Sequence, residues 1–493
     1  MKTKLTWAFN NLGGMSFALG LLILGSFVSL LKLPSFRGLN TTTFLAYYLI
    51  AGIAYALAIH RLGRDHISLK SIWGFAIFFR LILLFTSPSL SDDVYRYVWD
   101  GHLLNQGVNP YALPVDSMLL DVYDTQLRAF VNNAWMASPY LPTSQLIFAT
   151  VSRLAPQSVF AFQIVSTFFD LLTGWTVMKI LENLSLSRKA VLLYLWNPLV
   201  IVEFAHAAHI DSLMIFLMMA SFWLLMQSQK ALQGSHIAFK NNLLSAVALA
   251  GATLTKVLPI LLVPILMKRW RWKGTVLFFL IIATVLAIFS VNSGWGLSGE
   301  LDGTGVFGAI RIYLEYWNFN SGIYHWLEVA FSGYQTAGAV PADIVGETPI
   351  LLAKITTMGL FGAAVLFTTW QVWRKDRNQL NLLRLAIIPL GAYLMLTTTL
   401  HPWYLIIIIP LLPFIFAQRG VSTSYQAFIW PWIYLSIAIA FSYLTYYDID
   451  NLREYVQVRA LEYVPTYLLL IWAILMSFHQ RKNSETAAVR KII

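Results

Sequence analysis

The sequence predicts an all-α fold, a polytopic membrane helical bundle of about 13–14 transmembrane helices with further short helices in its outer-face loops. Three observations lead there. The 493-residue chain is 58% hydrophobic and only 12% charged, whereas a soluble domain is about half apolar and about a quarter charged. Apolar runs recur along its whole length. The segments between those runs alternate between basic and not basic, as the loops of a multi-pass protein do.

The apolar runs lie at about 12–32, 42–60, 72–87, 158–181, 189–205, 210–227, 241–255, 257–267, 274–291, 349–373, 383–399, 403–417, 425–445 and 463–478. Lys2 and Lys4 precede the first run, which is long enough to span and shows no small-residue cleavage site. It therefore reads as a first transmembrane helix rather than a signal peptide. With that end inside, counting crossings places seven segments on the same side: 61-RLGRDHISLK-70, 182-ENLSLSRK-189, 228-SQKALQGSHIAFK-240, 268-KRWRWK-273, 374-RKDRNQLN-381, 418-QRG-420 and 479-HQRKNSETAAVRKII-493. Each is basic in balance, so the positive-inside rule accounts for most of the net charge of +11 without a nucleic-acid partner. Both termini are expected in the cytoplasm, and the chain in a plasma (bacterial inner) membrane.

The runs 241–255 and 257–267 are short for a bilayer core, which takes roughly 20 helical residues. We read them as a bent hairpin with Thr253, Thr255 and Lys256 at its outer tip. Such broken helices persist only when buried in protein or lining a wet cavity. The other outer segments are two long loops, 88–157 and 292–348, and the shorter 205-AHAAHID-211, 400-LHPW-403 and 446-YYDIDNLREYVQVRALEY-463, all within a single integral membrane domain of residues 1–493.

The chain has no cysteine, which excludes disulfides, thiolate metal sites and a cysteine nucleophile. It carries no Walker loop and no credible dinucleotide fingerprint. Ionisable residues that interrupt apolar sequence gather on the outer face: Asp92, Asp93, His206, His209, Asp211, Lys256 and His401. Ser91 is placed to cap a helix running to about Asn105, with Gly107 as its stop and Asp92 and Asp93 in its first turn. A plain structural account of that helix is an i,i+4 ion-pair ladder of Asp92, Arg96 and Asp100. The weightier account rests on cost, because a carboxylate at the membrane edge is expensive to desolvate. His206 and His209 stand i,i+3 with Asp211 beyond, too few ligands for a metal site, so no metal and no cofactor is expected. Lys256 either snorkels to the headgroups or stands as a fixed cation against a phosphate. In 401-HPWY-404, Trp403 and Tyr404 suit an interface, and His401 is the unexplained member.

Taken together these residues suit glycosyl transfer from a lipid-linked sugar phosphate. The acceptor hydroxyl needs a base, and the departing phosphate needs cations or strong donors. One carboxylate acting through the acceptor gives inversion, as in inverting glycosidases with the acceptor in place of water. Tyr95, Tyr97 and Trp99 offer aromatic faces to a pyranose or an isoprenoid tail.

The segments 91-SDDVYRYVWDG-101, 107-GVNPY-111, 205-AHAAHID-211, 253-TLTKVLPILLVP-264 and 401-HPWY-404, in that order, resemble the GT-C superfamily of polyprenyl-phosphate-sugar-dependent glycosyltransferases. The likeness is greatest to the bacterial mannosyltransferase-like branch, glycosyltransferase 87 and its relatives. The resemblance implies an inverting hexosyltransferase, with mannose as the sugar and a polyprenyl-phosphate sugar as donor. It implies a lipid or glycan acceptor on the extracytoplasmic face, and Asp92 or Asp93 as base. Arg96, His206, His209, Asp211, Lys256, His401 and Tyr404 are the expected donor-binding residues. The acidic motif follows the third span here, where many GT-C enzymes have it after the first. Two other classes fit less well: a lipid-linked oligosaccharide transporter or flippase, which would place its ionisable groups at mid-membrane depth, and a non-catalytic envelope polysaccharide assembly protein.

Overall fold

The computed structural model describes residues 14–64, 66–232, 234–299, 301–334, 348–374, 378–417 and 426–490, with side chains to residue 479. Lys2, Lys4 and the 418–420 segment lie outside these residues. Regular structure among them is helical, with one isolated parallel bridge between Phe319 and Thr399. Seven helices are long and apolar enough to cross a membrane. They are Asn40–Arg61, Val159–Asn183, Asp211–Lys230, Leu258–Ser290, Thr348–Arg374, Gln379–Leu396 and Val456–His479, with the shorter apolar helices Gly14–Leu30 and Pro402–Phe416 beside them. The other apolar runs fold as shorter or broken helical pieces.

The run 189–205 shows why. Asn197 precedes Pro198, and its side-chain oxygen accepts from the Leu199 and Val200 N–H groups at 3.0 and 3.4 Å, capping a new helix Pro198–Ile201. Its amide donates to Tyr55 Oη and Ser436 Oγ, at 3.2 and 3.0 Å. Leu192 to Trp196 and Leu199 to Val202 are fully buried. Irregular backbone at this depth is tolerated because protein, not lipid, surrounds it. Next comes a five-residue π-turn, Val202–His206.

The division of loops into two sets is visible in their bonds. On the face with the acidic pair, Phe36 N donates to Ser89 Oγ at 2.9 Å and Gly38 N to the Tyr446 carbonyl at 2.9 Å. Ala137 N reaches the Asp302 carbonyl and Leu400 N the Phe319 carbonyl, at 2.9 and 2.8 Å. On the opposite face, Lys230 Nζ meets Asn183 Oδ1 at 3.0 Å, Gln379 meets Gln229 at 2.9 Å, and Lys268 Nζ donates to the Val372 carbonyl at 3.1 Å.

The 241–267 region differs from the expected pair of short helices. His236–Thr253 is a full 18-residue helix, and Lys256 sits past its end. The helical stretch Val263–Ser290 is broken at Arg271, which lies in the left-handed region (φ 58°). The far end of that stretch and the chain shortly before its start are both tied to the 88–157 loop. Ser144 Oγ donates to the Thr255 carbonyl at 2.9 Å, and Asn109 Nδ2 to the Phe289 carbonyl at 2.8 Å. A straight helix of that length would carry its ends about 40 Å apart, so the chain doubles back at Arg271, within KRWRWK.

A buried ion pair joins the helix Leu69–Leu83 to Val159–Asn183. Arg80 pairs with Asp170, both essentially unexposed, and also donates to the Ala76 and Leu195 carbonyls at 2.9 Å each. Ionisable residues therefore do not gather on one face alone. This pair is closed on itself and pins three segments, rather than offering charge to a passing substrate.

Candidate active site

The 88–157 loop folds over one end of the bundle. Its helix Asp93–Asn105 packs on Pro142–Leu154 at the cost of a side chain: a Cβ at Gly101 would stand 2.2 Å from the Phe148 carbonyl oxygen. Gly107, at φ +79°, stops the helix as expected. The cap is displaced by one residue. Ser91 Oγ accepts from the Asp93 N–H at 3.2 Å in a local turn, which leaves Asp92 as the N-cap residue.

That shift separates the two aspartates. Asp92 turns outward, 37% exposed, and pairs with Arg37 at 3.1 Å. Arg37 in turn lies over the Tyr446 ring at 4.4 Å. Asp93 turns inward, 17% exposed, with His209 Nδ1 at 3.8 Å from one oxygen and Asn132 Nδ2 donating at 2.8 Å to the other. Burial raises the Asp93 carboxyl, but the facing His209, the Asn132 amide and the nearby Lys256 outweigh it, and the carboxyl lies below its ordinary range.

His209 is fully buried on the turn after the π-helix, next to Ala208 in the left-handed region (φ 62°). A non-glycine residue there is strained by roughly 1–2 kcal/mol. Its Nε2 stands 3.3 Å from Glu203, which accepts from Tyr443 Oη at 2.5 Å. Its ring stacks on Trp403 at 4.0 Å; His401 stacks on Trp403 at 4.5 Å, and Phe319 on His401 at 4.8 Å. This column of rings joins three segments distant in sequence. Stacked pairs of this kind contribute roughly 0.5–1.5 kcal/mol each beyond area burial.

Lys256 completes the group. Its Nζ is 2.7 Å from Asp211, which is 1% exposed, and 5.1 Å from the Tyr404 ring centre. Tyr404 Oη accepts from Tyr313 Oη at 3.0 Å. Asp93, His209, Asp211, Lys256, His401 and Tyr404 thus share one region, and together they bring two carboxylates, a lysine and two imidazoles close to one another.

Arg96 and His206 do not join them. Arg96 donates to the Met136, Asn132 and Asn133 carbonyls at 3.1, 2.9 and 2.9 Å, which holds the loop over Asp93. The ladder Asp92–Arg96–Asp100 does not form, since Asp100 accepts instead from Ser138 and, at 3.0 Å, from Gln145. His206 is used up as a pin. Its Nδ1 meets Thr86 Oγ1 at 2.7 Å, its Nε2 meets Ser89 N at 3.2 Å, and its ring stacks on Phe36 at 4.2 Å. Tyr97 is buried in a core that the loop shares with Phe162, Ala208, Ile210 and Leu213, and Trp99 in a core of the loop's own, so of the three only Tyr95 is half-buried. Among the described residues, no group of three or more His, Asp or Glu is placed to hold a metal ion.

Residues 13–272, just over half the chain, match the MptA_B family model, described as the N-terminal domain of alpha-(1->6)-mannopyranosyltransferases. The chain is 27% identical over 180 residues to "Alpha-(1->6)-mannopyranosyltransferase A" of Corynebacterium glutamicum, covering 34% of this chain and 35% of that protein. It is 24% identical over 424 residues to "Probable alpha-(1->6)-mannopyranosyltransferase" of Mycolicibacterium smegmatis, covering 78% and 72%. The match thus spans about a third of the first relative's length. Among solved structures, the crystal structure of ArnT from Cupriavidus metallidurans bound to undecaprenyl phosphate covers 83% of this chain and 76% of that one, at 12% identity and a TM-score of 0.46.

Proposed function

The chain belongs to the MptA_B family of alpha-(1->6)-mannopyranosyltransferases, and from that premise we propose that it transfers a mannosyl group from a polyprenyl-phosphate donor to a hydroxyl of a lipid or glycan acceptor. The transfer inverts the anomeric carbon, takes place at the extracytoplasmic membrane boundary, and forms the α-(1→6) linkage of the family's description. The observation that carries this reading is the convergence of Asp93, His209, Lys256, His401 and Tyr404, from four separate segments, on one region.

Asp93 is the base. Its lowered carboxyl is ionised at neutral pH, and the outward pairing of Asp92 with Arg37 leaves Asp93 as the inward-facing aspartate. Asp93 takes the acceptor hydroxyl proton as that oxygen bonds to the anomeric carbon. The bond from that carbon to the phosphate oxygen breaks, and its electron pair leaves with the polyprenyl phosphate. Lys256 and the imidazoles stabilise that departing charge from fixed positions, which involves little reorganisation during the reaction. Tyr404 and the Trp403 column form a wall suited to a sugar face. A polyprenyl chain keeps the donor in the bilayer, so chemistry on its phosphate belongs at the boundary where Asp93 stands.

The test is direct. Purified protein is incubated with radiolabelled polyprenyl-phosphate mannose, polyprenyl-phosphate glucose and a panel of mannolipid and glycan acceptors. Mannose should move to an acceptor. Transfer from the glucose donor alone, or from neither, overturns the reading.

A further inference from the structure

The helices Asn40–Arg61 and Trp430–Ala438 pack against each other where Gly52 meets Ile437: a Cβ on Gly52 would stand 2.7 Å from Ile437 Cγ2. Buried hydrogen bonds hold the seam. Tyr48 Oη donates to the Ser436 carbonyl at 2.7 Å, and Asn197 Nδ2 reaches both Tyr55 Oη and Ser436 Oγ. On the side away from the core, a groove of about 540 Å³ runs from Leu49 and Ile437 to His60 and Trp430. Its lining is apolar apart from His60 and the Tyr434 hydroxyl, which donates to the Leu461 carbonyl at 2.7 Å. Ile53 and Leu57 are 51% and 49% exposed, so the groove is open along its side. From Leu49 to His60 the helix rises about 17 Å, close to the roughly 15 Å of hydrocarbon in one leaflet.

The mouth of the groove lies on the face opposite Asp93. Arg37 and Gly38, just before the first helix, bond to Asp92 and the Tyr446 carbonyl, and from Asn40 to His60 that helix rises about 30 Å. At the mouth the chain turns basic. The stretch 60-HRLGRDH-66 holds two arginines against one aspartate, and Arg64 Nη1 is 3.4 Å from His60 Nε2, both side chains being exposed. None of the described residues lining the groove is acidic. Trp430 stands at the same level, where indole rings favour headgroups. A basic mouth between membrane helices, continued by an apolar channel, is complementary to both parts of an anionic lipid.

We propose that this groove binds one anionic phospholipid, with an acyl chain lying between Ile53 and Tyr434 and the phosphate meeting Arg64 and His60. The site goes beyond the mannosyl-transfer reading and does not depend on it. Volume over length gives the groove a section of about 30 Å², which admits a hydrocarbon chain and is narrower than a helix about 10 Å across. The donor's own tail is a poorer occupant. A donor whose phosphate sits by Asp93 brings no anion to a mouth on the other face.

The experiment titrates delipidated full-length protein with dioleoyl phosphatidylglycerol and, separately, with dioleoyl phosphatidylcholine, and counts bound lipid by native mass spectrometry. Wild type should retain one phosphatidylglycerol roughly tenfold or more tightly than phosphatidylcholine. Arg64→Gln, an exposed change that leaves the packing alone, should reduce that preference roughly fivefold. Ala56→Trp fills the groove and should remove the retained lipid whatever its headgroup, with thermal unfolding showing that the variant is folded. If Ala56→Trp does not fold, Arg64→Gln decides alone. No preference in wild type, or an unchanged preference in Arg64→Gln, overturns the proposal. So does displacement of the phosphatidylglycerol by a polyprenyl phosphate at equal concentration, which would give the groove to the donor's tail. A dimer that Ala56→Trp dissociates would give it to a second copy and overturn the proposal as well.

Discussion

The Lys256–Asp211 pair separates a structural from a functional use of one charge. Asp211 is 1% exposed, its Oδ2 meets Lys256 Nζ at 2.7 Å, and its Oδ1 has no hydrogen-bond partner. Lys256→Met keeps most of the length of the side chain and removes the charge, stranding a buried carboxylate. Breaking a buried pair from one side costs about 3–5 kcal/mol. Lys256 is 18% exposed, so water reaches it and the lower end, about 3 kcal/mol, applies. Asp211→Asn together with Lys256→Met removes both charges and should return most of that stability, since a pair replaced as a whole is close to neutral. Donor use should behave differently. If Lys256 also meets the phosphate, both variants should show a donor KM raised roughly tenfold or more, a loss of at least about 1.4 kcal/mol, with acceptor KM little changed. Thermal unfolding in detergent reads the first quantity, and steady-state transfer with each substrate varied reads the second. A double variant that regains both stability and wild-type donor KM refutes the functional half, leaving Lys256 as Asp211's counter-ion. A single variant as stable as wild type refutes the structural half.

Two more predictions concern the loop and its base. Gly101→Ala places a Cβ against the Phe148 carbonyl with no flexible side chain to yield; it should destabilise the chain by about 1–3 kcal/mol and lower transfer by misplacing Asp93, read as thermal stability and kcat. Because the Asp93 carboxyl lies below its ordinary 3.8, the base remains ionised as pH falls through that value. The acid limb of kcat/KM should lie below the ordinary carboxylate range, the folding contribution of Asp93 should be lost over the same lowered window, and a limb at or above pH 5 would contradict the assignment.

Much of this arrangement was legible in the residues. Apolar runs located the long helices, and the loop bonding follows the two sets that charge had separated. The order of SDDVYRYVWDG, AHAAHID and HPWY led to a mannosyltransferase family, and such a family model matched. Spacing could not choose between Asp92 and Asp93, because the choice depends on a cap displaced by one residue and on Arg37, fifty-five positions away. Arg96 and His206 looked available because sequence does not show the carbonyls and hydroxyls that occupy them. Glu203 was the clearest miss. A lone carboxylate within PLVIVEFA carries its own signal, since an ionisable group within an apolar run is seldom idle. Arg80 and Asp170 carry the same signal for a structural reason. Tyr443 and Asn132 had none, since their roles come from tertiary contacts alone.

The central claim is that Asp93, and not its neighbour, removes the acceptor proton. The measurement is single-turnover mannosyl transfer by purified Asp93→Asn and Asp92→Asn proteins, each shown folded and able to bind a polyprenyl phosphate. Loss of transfer by roughly 100-fold or more in Asp93→Asn, with a much smaller loss in Asp92→Asn, is the predicted result. Near-normal transfer by Asp93→Asn, or an equal loss in both, contradicts it.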